Sequence, residues 1–135
     1  MIKECNICGQ TFETVKNGGS RQSCYDCIPL DATNNNRATY RRAAMKREGV
    51  KRLGGKCIKC GISKKYLLNF HHLRPENKND NPANILANNN VAGFFEEIQD
   101  CVLLCSNCHT EFHHLEHSQN ITLQEYLDDN YIEEL

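Results

Sequence analysis

Eight of the nine cysteines fall into four CxxC pairs: Cys5 with Cys8, Cys24 with Cys27, Cys57 with Cys60, and Cys105 with Cys108. Two residues between cysteines let a tight turn aim both thiolates at one tetrahedral ion, and two such knuckles complete a closed zinc site of four sulfurs. Cys5, Cys8, Cys24 and Cys27, with fifteen residues between the two pairs, have standard zinc spacing. Cys57, Cys60, Cys105 and Cys108 are joined across 44 residues because neither knuckle has another partner. Two structural Zn2+ ions are therefore expected. Redox chemistry is the competing reading of CxxC, but it calls for a βαβ setting that this chain does not offer. Cys101, at the head of CVLLC, reads as a buried, inert thiol.

All six histidines lie between the third knuckle and residue 117. His109 and His113 stand four apart, which on a helix puts both rings on one face, as two ligands of one ion require. His71 and His72 are adjacent on an expected strand, where successive side chains point to opposite faces. One of the doublet can then bind a metal while its neighbour faces a substrate. His71 with His109 and His113 makes three nitrogen ligands and leaves positions open, as a catalytic divalent ion needs. His114 and His117 read as solvent-facing or supporting residues.

These groups must be positioned by a chain with a thin core. Leu, Ile, Val and Phe number 30 of 135 residues, near the roughly 20% below which chains stay disordered, so metal staples are expected in place of one large core. No apolar run reaches the ~18 residues of a membrane span, and the start MIKECNICGQ lacks a signal-peptide h-region. An odd cysteine count without an export signal argues for a reducing compartment, and the expected setting is a bacterial cytoplasm with no membrane contact. The net charge of -1 hides an asymmetry: residues 1 to 78 carry all 16 Lys and Arg against 6 acids, and residues 79 to 135 carry 11 acids and no Lys or Arg. Either one surface meets a polyanion, or the two halves pair with each other.

The segments follow from the punctuation. Residues 1 to 28 form a first finger, with a hairpin around Phe12 and Val15 and a turn at Gly18 and Gly19, and residues 29 to 36 form a polar loop. Residues 37 to 53 are rich in helix formers, with Tyr40, Ala44 and Arg47 along one side. Residues 29 to 53 thus serve as linker and basic helix. Residues 66 to 70 and 101 to 104 read as strands, separated by a long polar loop with Pro75 and Pro82 and a short helix over 92 to 98. A helix over 107 to 117 follows, and residues 54 to 117 make one core. The acidic end, residues 118 to 135, reads as an amphipathic helix with Leu123, Leu127 and Tyr131 inward.

The basic helix carries Arg37, Arg41, Arg42, Lys46, Arg47, Lys51 and Arg52 against a single Glu48. Such a run is often only a solvated face; between two zinc modules it can instead contact phosphates without regard to sequence.

The combination of LysCysIleLysCysGly at 56 to 61, AsnPheHisHisLeuArgPro at 69 to 75 and LeuLeuCysSerAsnCysHisThrGluPheHis at 103 to 113 resembles the HNH endonucleases, which have a ββα-metal fold. The likeness spans roughly residues 54 to 114 and is to the zinc-knuckle, phage-type branch. It implies a small α+β chain in which a nuclease core stapled by one four-cysteine site follows an N-terminal finger and a basic helix. In that resemblance His72 matches the general base, and His71 stands where most members have a metal-binding Asp, like the HisHis doublet of the colicin DNases. His109 and His113 match the helix ligands. The middle Asn of the family is replaced by Asp100, which implies a role for Asp100, or for Asn69, in orienting His72.

The activity so implied is hydrolysis of double-stranded DNA to 5'-phosphate and 3'-hydroxyl ends. His72 would take a proton from water, and Mg2+, Mn2+, Ni2+ or Zn2+ among His71, His109 and His113 would offset developing charge. Arg74 would clamp a neighbouring phosphate. A homodimer, or a phage or host protein, is compatible as a further partner. The rival readings are a non-catalytic zinc-finger DNA-binding protein and a protein-interaction module docking through its acidic tail.

Overall fold

A computed structural model describes residues 1–15, 19–78 and 80–134. It is a small α+β structure with two two-stranded antiparallel sheets and, among the described residues, five α-helices. The chain forms two compact units, one of Met1–Gly49 with Asp80–Glu97 and the other of Val50–Asn79 with Ile98–Leu135.

In the first unit, β1 (Ile2–Glu4) pairs with β2 (Thr11–Glu13) so that Lys3 lies opposite Phe12. The first knuckle is the connection between these strands. Its turn closes through the Gly9 N–H donating to the Cys5 carbonyl, and Gly9 takes φ 76°, which a side chain would strain. Phe12 is buried as expected, but Val15 is exposed, because the chain has already left the hairpin. Gly18 of the expected turn lies outside the described residues.

The helix α1 (Asn34–Arg52) starts three residues earlier than the composition indicates. Thr33 is the reason: its hydroxyl and carbonyl both accept from the Asn36 N–H, and this polar start overrides the poor helix propensity of the Asn run. Its buried residues are Ala44 and Met45, whereas Tyr40 is exposed, so the inward face lies one position round from the expected one. The polar loop expected before the short helix contains a further helix, α2 (Pro82–Ala87). Pro82 occupies its first turn, and the Asn81 side chain accepts from the Ala83 N–H, the usual chemistry of a helix start. Next, α3 (Val91–Glu97) buries Phe94 completely, and the Asn90 side chain accepts from the Gly93 N–H at its start.

In the second unit, β3 (Leu68–His72) pairs with β4 (Cys101–Cys105), and α4 (Ser106–Gln119) follows β4 without a break. Tyr66 falls in a 3-10 turn before β3 and is exposed, which moves the strand two residues beyond the expected start. The core contains Val50, Leu68, Leu103, Leu104, Phe112, Leu115 and Tyr126. Fully burying side chains of this kind contributes about 1.5–3 kcal/mol each. The C-terminal helix α5 is short, Leu123–Leu127, and begins in a capping box between Thr122 and Glu125. It buries Leu123 and Tyr126, with Leu127 and Tyr131 partly buried against the same cluster. Among the described residues no helix is long and apolar enough to cross a membrane.

Candidate metal centres

Three clusters of metal-ligating side chains assemble: Cys5, Cys8, Cys24 and Cys27; Cys57, Cys60, Cys105 and Cys108; and His71, His109 and His113. Within each, one ligand atom per residue lies within 4.8 Å of all the others.

Zn–S bonds of about 2.3 Å in a tetrahedron place sulfurs about 3.8 Å apart. Cys5 and Cys27 Sγ are 3.8 Å apart, Cys8 and Cys24 3.6 Å, and Cys60 and Cys105 3.6 Å. These separations fit one ion in each cluster and are far from the roughly 2.05 Å of a disulfide. The two sites are built alike. The second knuckle closes through the Gly61 N–H on the Cys57 carbonyl, as Gly9 closes the first on Cys5, and the N–H of Ile7 or Cys108 points at a cluster sulfur.

Electrostatics make the same point. Burial pushes the Cys57 thiol up, and the backbone amides of Cys60, Cys105 and Lys59 more than reverse this, bringing it to about 6. Burial likewise opposes, and the backbone amides of Cys24, Cys8 and Ile7 favour, the Cys5 thiolate, which is brought to about 7. Cys27 and Cys108 are pushed strongly up, by burial and then by the neighbouring cysteine sulfurs. One thiolate per site forms readily and resists the others, a conflict that a bound dication removes. Cys101 is buried and lies outside both clusters.

The histidine cluster is positioned by β3 and α4. His71 and His72 lie opposite Val102 and Cys101, and strand alternation sends their side chains to opposite faces. The His71 ring meets α4, with centroids 5.3 Å from His109, 5.5 Å from His113 and 5.5 Å from Phe112. His109 Nε2 and His113 Nε2 are 3.0 Å apart, the contact that i,i+4 spacing produces. The His71 Nδ1 lies 3.0 Å from the His72 carbonyl, which leaves Nε2 for a ligand. Burial, and then the neighbouring His113, hold both His71 and His109 below the ordinary histidine range, so each is a neutral donor at pH 7. Three neutral imidazoles suit a divalent ion such as Zn2+ or Ni2+ and leave its remaining positions open. His72 is not in this cluster and is 7% exposed. His114 bonds Glu134 at 2.6 Å, and His117 is exposed near the end of α4.

Asp100 is bound to Arg74, with Nη2 at 2.7 Å and Nε at 3.4 Å, and its carbonyl accepts from the Leu73 N–H. The pair braces the chain as it leaves β3, so Arg74 is committed to Asp100 as well as exposed. Asn69 cannot orient His72. It lies at the other end of β3, is exposed, and reaches Ser106 Oγ at 3.5 Å.

The cations of α1 do not form a single stripe. At 3.6 residues per turn Arg37, Arg41 and Arg52 share one side, Arg42 and Lys46 another, and Arg47 and Lys51 a third. Arg47, Lys51 and Arg52 are exposed, and the other four are half-buried.

Two cations beside the sulfur sites are not marked by any spacing in the sequence. Arg21, buried, donates through Nη1 to the carbonyls of Ser23, Cys24 and Ile28 at 2.7, 3.2 and 2.8 Å and lies 4.2 Å from the Tyr25 ring. Lys59, inside the third knuckle, donates to the Tyr126 carbonyl at 2.7 Å, pairs with Asp129 and lies over the Tyr126 and Tyr131 rings. Both place positive charge beside a four-thiolate site that carries a formal surplus of negative charge when zinc is bound. Their only signal is position, next to or within CxxC.

Comparisons with protein-family models, curated proteins and solved structures return no match.

Proposed function

We propose that the protein is a metal-dependent endonuclease that hydrolyses DNA phosphodiester bonds, with His72 as general base and two zinc ions as structural staples. The observation that carries this reading is the convergence of His71, His109 and His113 on one point while the adjacent His72 stays outside the ligand set. The order β3, β4, α4 is the one that the resemblance to HNH endonucleases leads one to expect of a ββα core.

Each residue then has a task. His71, His109 and His113 hold a divalent ion, which when bound supplies positive charge against the charge that develops on the phosphate. His72 accepts a proton from the attacking water at an imidazole nitrogen. Its burial suits a base that serves one positioned water and not bulk solvent. Asp100 fixes Arg74 at the exit of β3, where the guanidinium keeps donors for a neighbouring phosphate. The exposed cations of α1 add phosphate contacts that weaken steeply with salt. The substrate is double-stranded DNA, and the cut leaves 5'-phosphate and 3'-hydroxyl ends.

The test is incubation of the full zinc-loaded chain with supercoiled plasmid and Mg2+, Mn2+, Ni2+ or additional Zn2+, with the product ends checked by ligation. The reading predicts ion-dependent relaxed or linear product with ligatable ends. Binding without cleavage under every ion would reassign the protein as a non-catalytic zinc-finger DNA-binding protein.

A further inference from the structure

The first unit contains a groove of about 660 Å³, lined by Arg37 and Arg41 of α1, by Asn6 and Gln22 of the finger, and by Asn89 and Asn90 between α2 and α3. That volume lies within the roughly 300–1,000 Å³ of ligand sites. No acidic residue lines it, although the chain as a whole has a net charge of -1. Arg37 and Arg41 are four apart on α1 and half-buried, and among the described residues neither has an ion-pair partner. Arg21 contributes a third positive charge to the wall, since the groups it donates to are neutral carbonyls. A half-buried guanidinium without a counter-charge is favoured only if an anion arrives, and two on one helix face match the oxygens of a phosphate.

The amides set the rest of the ligand. Asn6 accepts from Ser23 Oγ at 2.6 Å, and Gln22 gives one N–H to the Ser20 carbonyl at 3.3 Å. Each side-chain amide has two donors and two acceptor sites, so both keep capacity beside the arginines. Asn89, with its amide turned to suit its neighbours, donates to the Ala38 carbonyl and accepts from Arg42 Nη1, both at 3.1 Å, which fixes the α2–α3 turn against α1. Paired donors and acceptors next to cations are what a base edge and its phosphate require. The exposed side chains of Val15 and Leu30 at the groove supply apolar surface for the face of a base.

We infer that this groove binds an unpaired nucleotide of a DNA strand, with its phosphate on Arg37 and Arg41 and its base edge on the surrounding amides. A concave site of this size has room for a nucleotide taken out of the stack but not for a double helix. The inference rests on the reading of the protein as DNA-binding, and not on the hydrolytic part of that reading.

The test is binding of a mixed-sequence DNA tetranucleotide to the zinc-loaded full chain, by calorimetry and by NMR of the side-chain amide signals. The tetranucleotide is expected to shift the signals of Asn6, Gln22, Asn89 and Asn90. The variant Arg37→Gln/Arg41→Gln should bind at least about tenfold more weakly, with the slope of log K against log salt shallower by about 1.4, or about 0.7 for each lost phosphate contact. The charge-matched variant Arg47→Gln/Lys51→Gln should bind like wild type, and zinc content checks the fold of both. Equal loss in the two variants, or unmoved amide signals in wild type, would overturn the inference. Deoxynucleoside monophosphate or inorganic phosphate binding as tightly as the tetranucleotide would overturn the assignment to a strand. Plasmid cleavage that persists beside any of these results would leave the nuclease reading standing and remove this one alone.

Discussion

His71 and His109 are held neutral chiefly by burial, which has a sign that can be followed. The folded chain binds fewer protons at these positions than the unfolded chain, so stability falls as pH drops below about 6.5, the ordinary histidine value. With both sulfur sites filled and the third cluster empty, melting temperatures measured from pH 7.5 to 5 should decline below that value, and His71→Phe should flatten the decline. A rise in stability over the same window would contradict the assignment. Metal binding and chemistry should separate at neighbouring residues. The variant His71→Ala should lose more ion affinity than the roughly 10–100-fold expected on removing a mere supporting partner of a ligand, read by calorimetry with Ni2+. His72→Ala should keep the ion and lose about 10²–10⁴ in rate. The ligand set was legible in the sequence because i,i+4 spacing and strand alternation are local rules. The partner of Asp100 was not, since ionic pairing to Arg74 closes across the β3–β4 sheet and leaves no trace in spacing.

At the scale of the elements, α4 carries both the site and the core. Phe112 is 1% exposed and touches the rings of His71 and Tyr126, each at a centroid distance of 5.5 Å. Phe112→Ala should cost about 3–5 kcal/mol by denaturant titration and weaken ion binding at the histidines as well, because the His71 ring loses its neighbour. Unchanged ion affinity in a destabilised protein would show that the rings are held by the backbone alone. The helices and strands that bear site residues were readable because each has a period. What escaped was punctuation: Thr33 capping α1 ahead of an Asn run, and Asn81 with Pro82 starting α2 inside a segment that reads as loop. A side-chain cap decides where a helix begins, and composition averages it away.

At the scale of the whole molecule, two thin units are each stapled by one four-sulfur cluster. Elemental analysis should find two tightly held zinc ions per chain, and Cys5→Ser and Cys57→Ser should each lower that to one and unfold the unit concerned, since ligation and folding are one equilibrium in such sites. Two zinc ions retained by either variant would contradict the pairing. The acidic end is tied to the second unit by Lys59, which contacts Tyr126, Asp129 and Tyr131, so part of the charge asymmetry in the sequence is satisfied inside one unit. The central claim is that three imidazoles share an exchangeable ion while a fourth residue, His72, takes the proton. It is tested most directly by measuring ion occupancy and single-turnover DNA cleavage in the same samples of wild type and His72→Ala. The account predicts one exchangeable ion in both proteins and cleavage in wild type alone. Equal cleavage by the two, or loss of the ion together with His72, would contradict it.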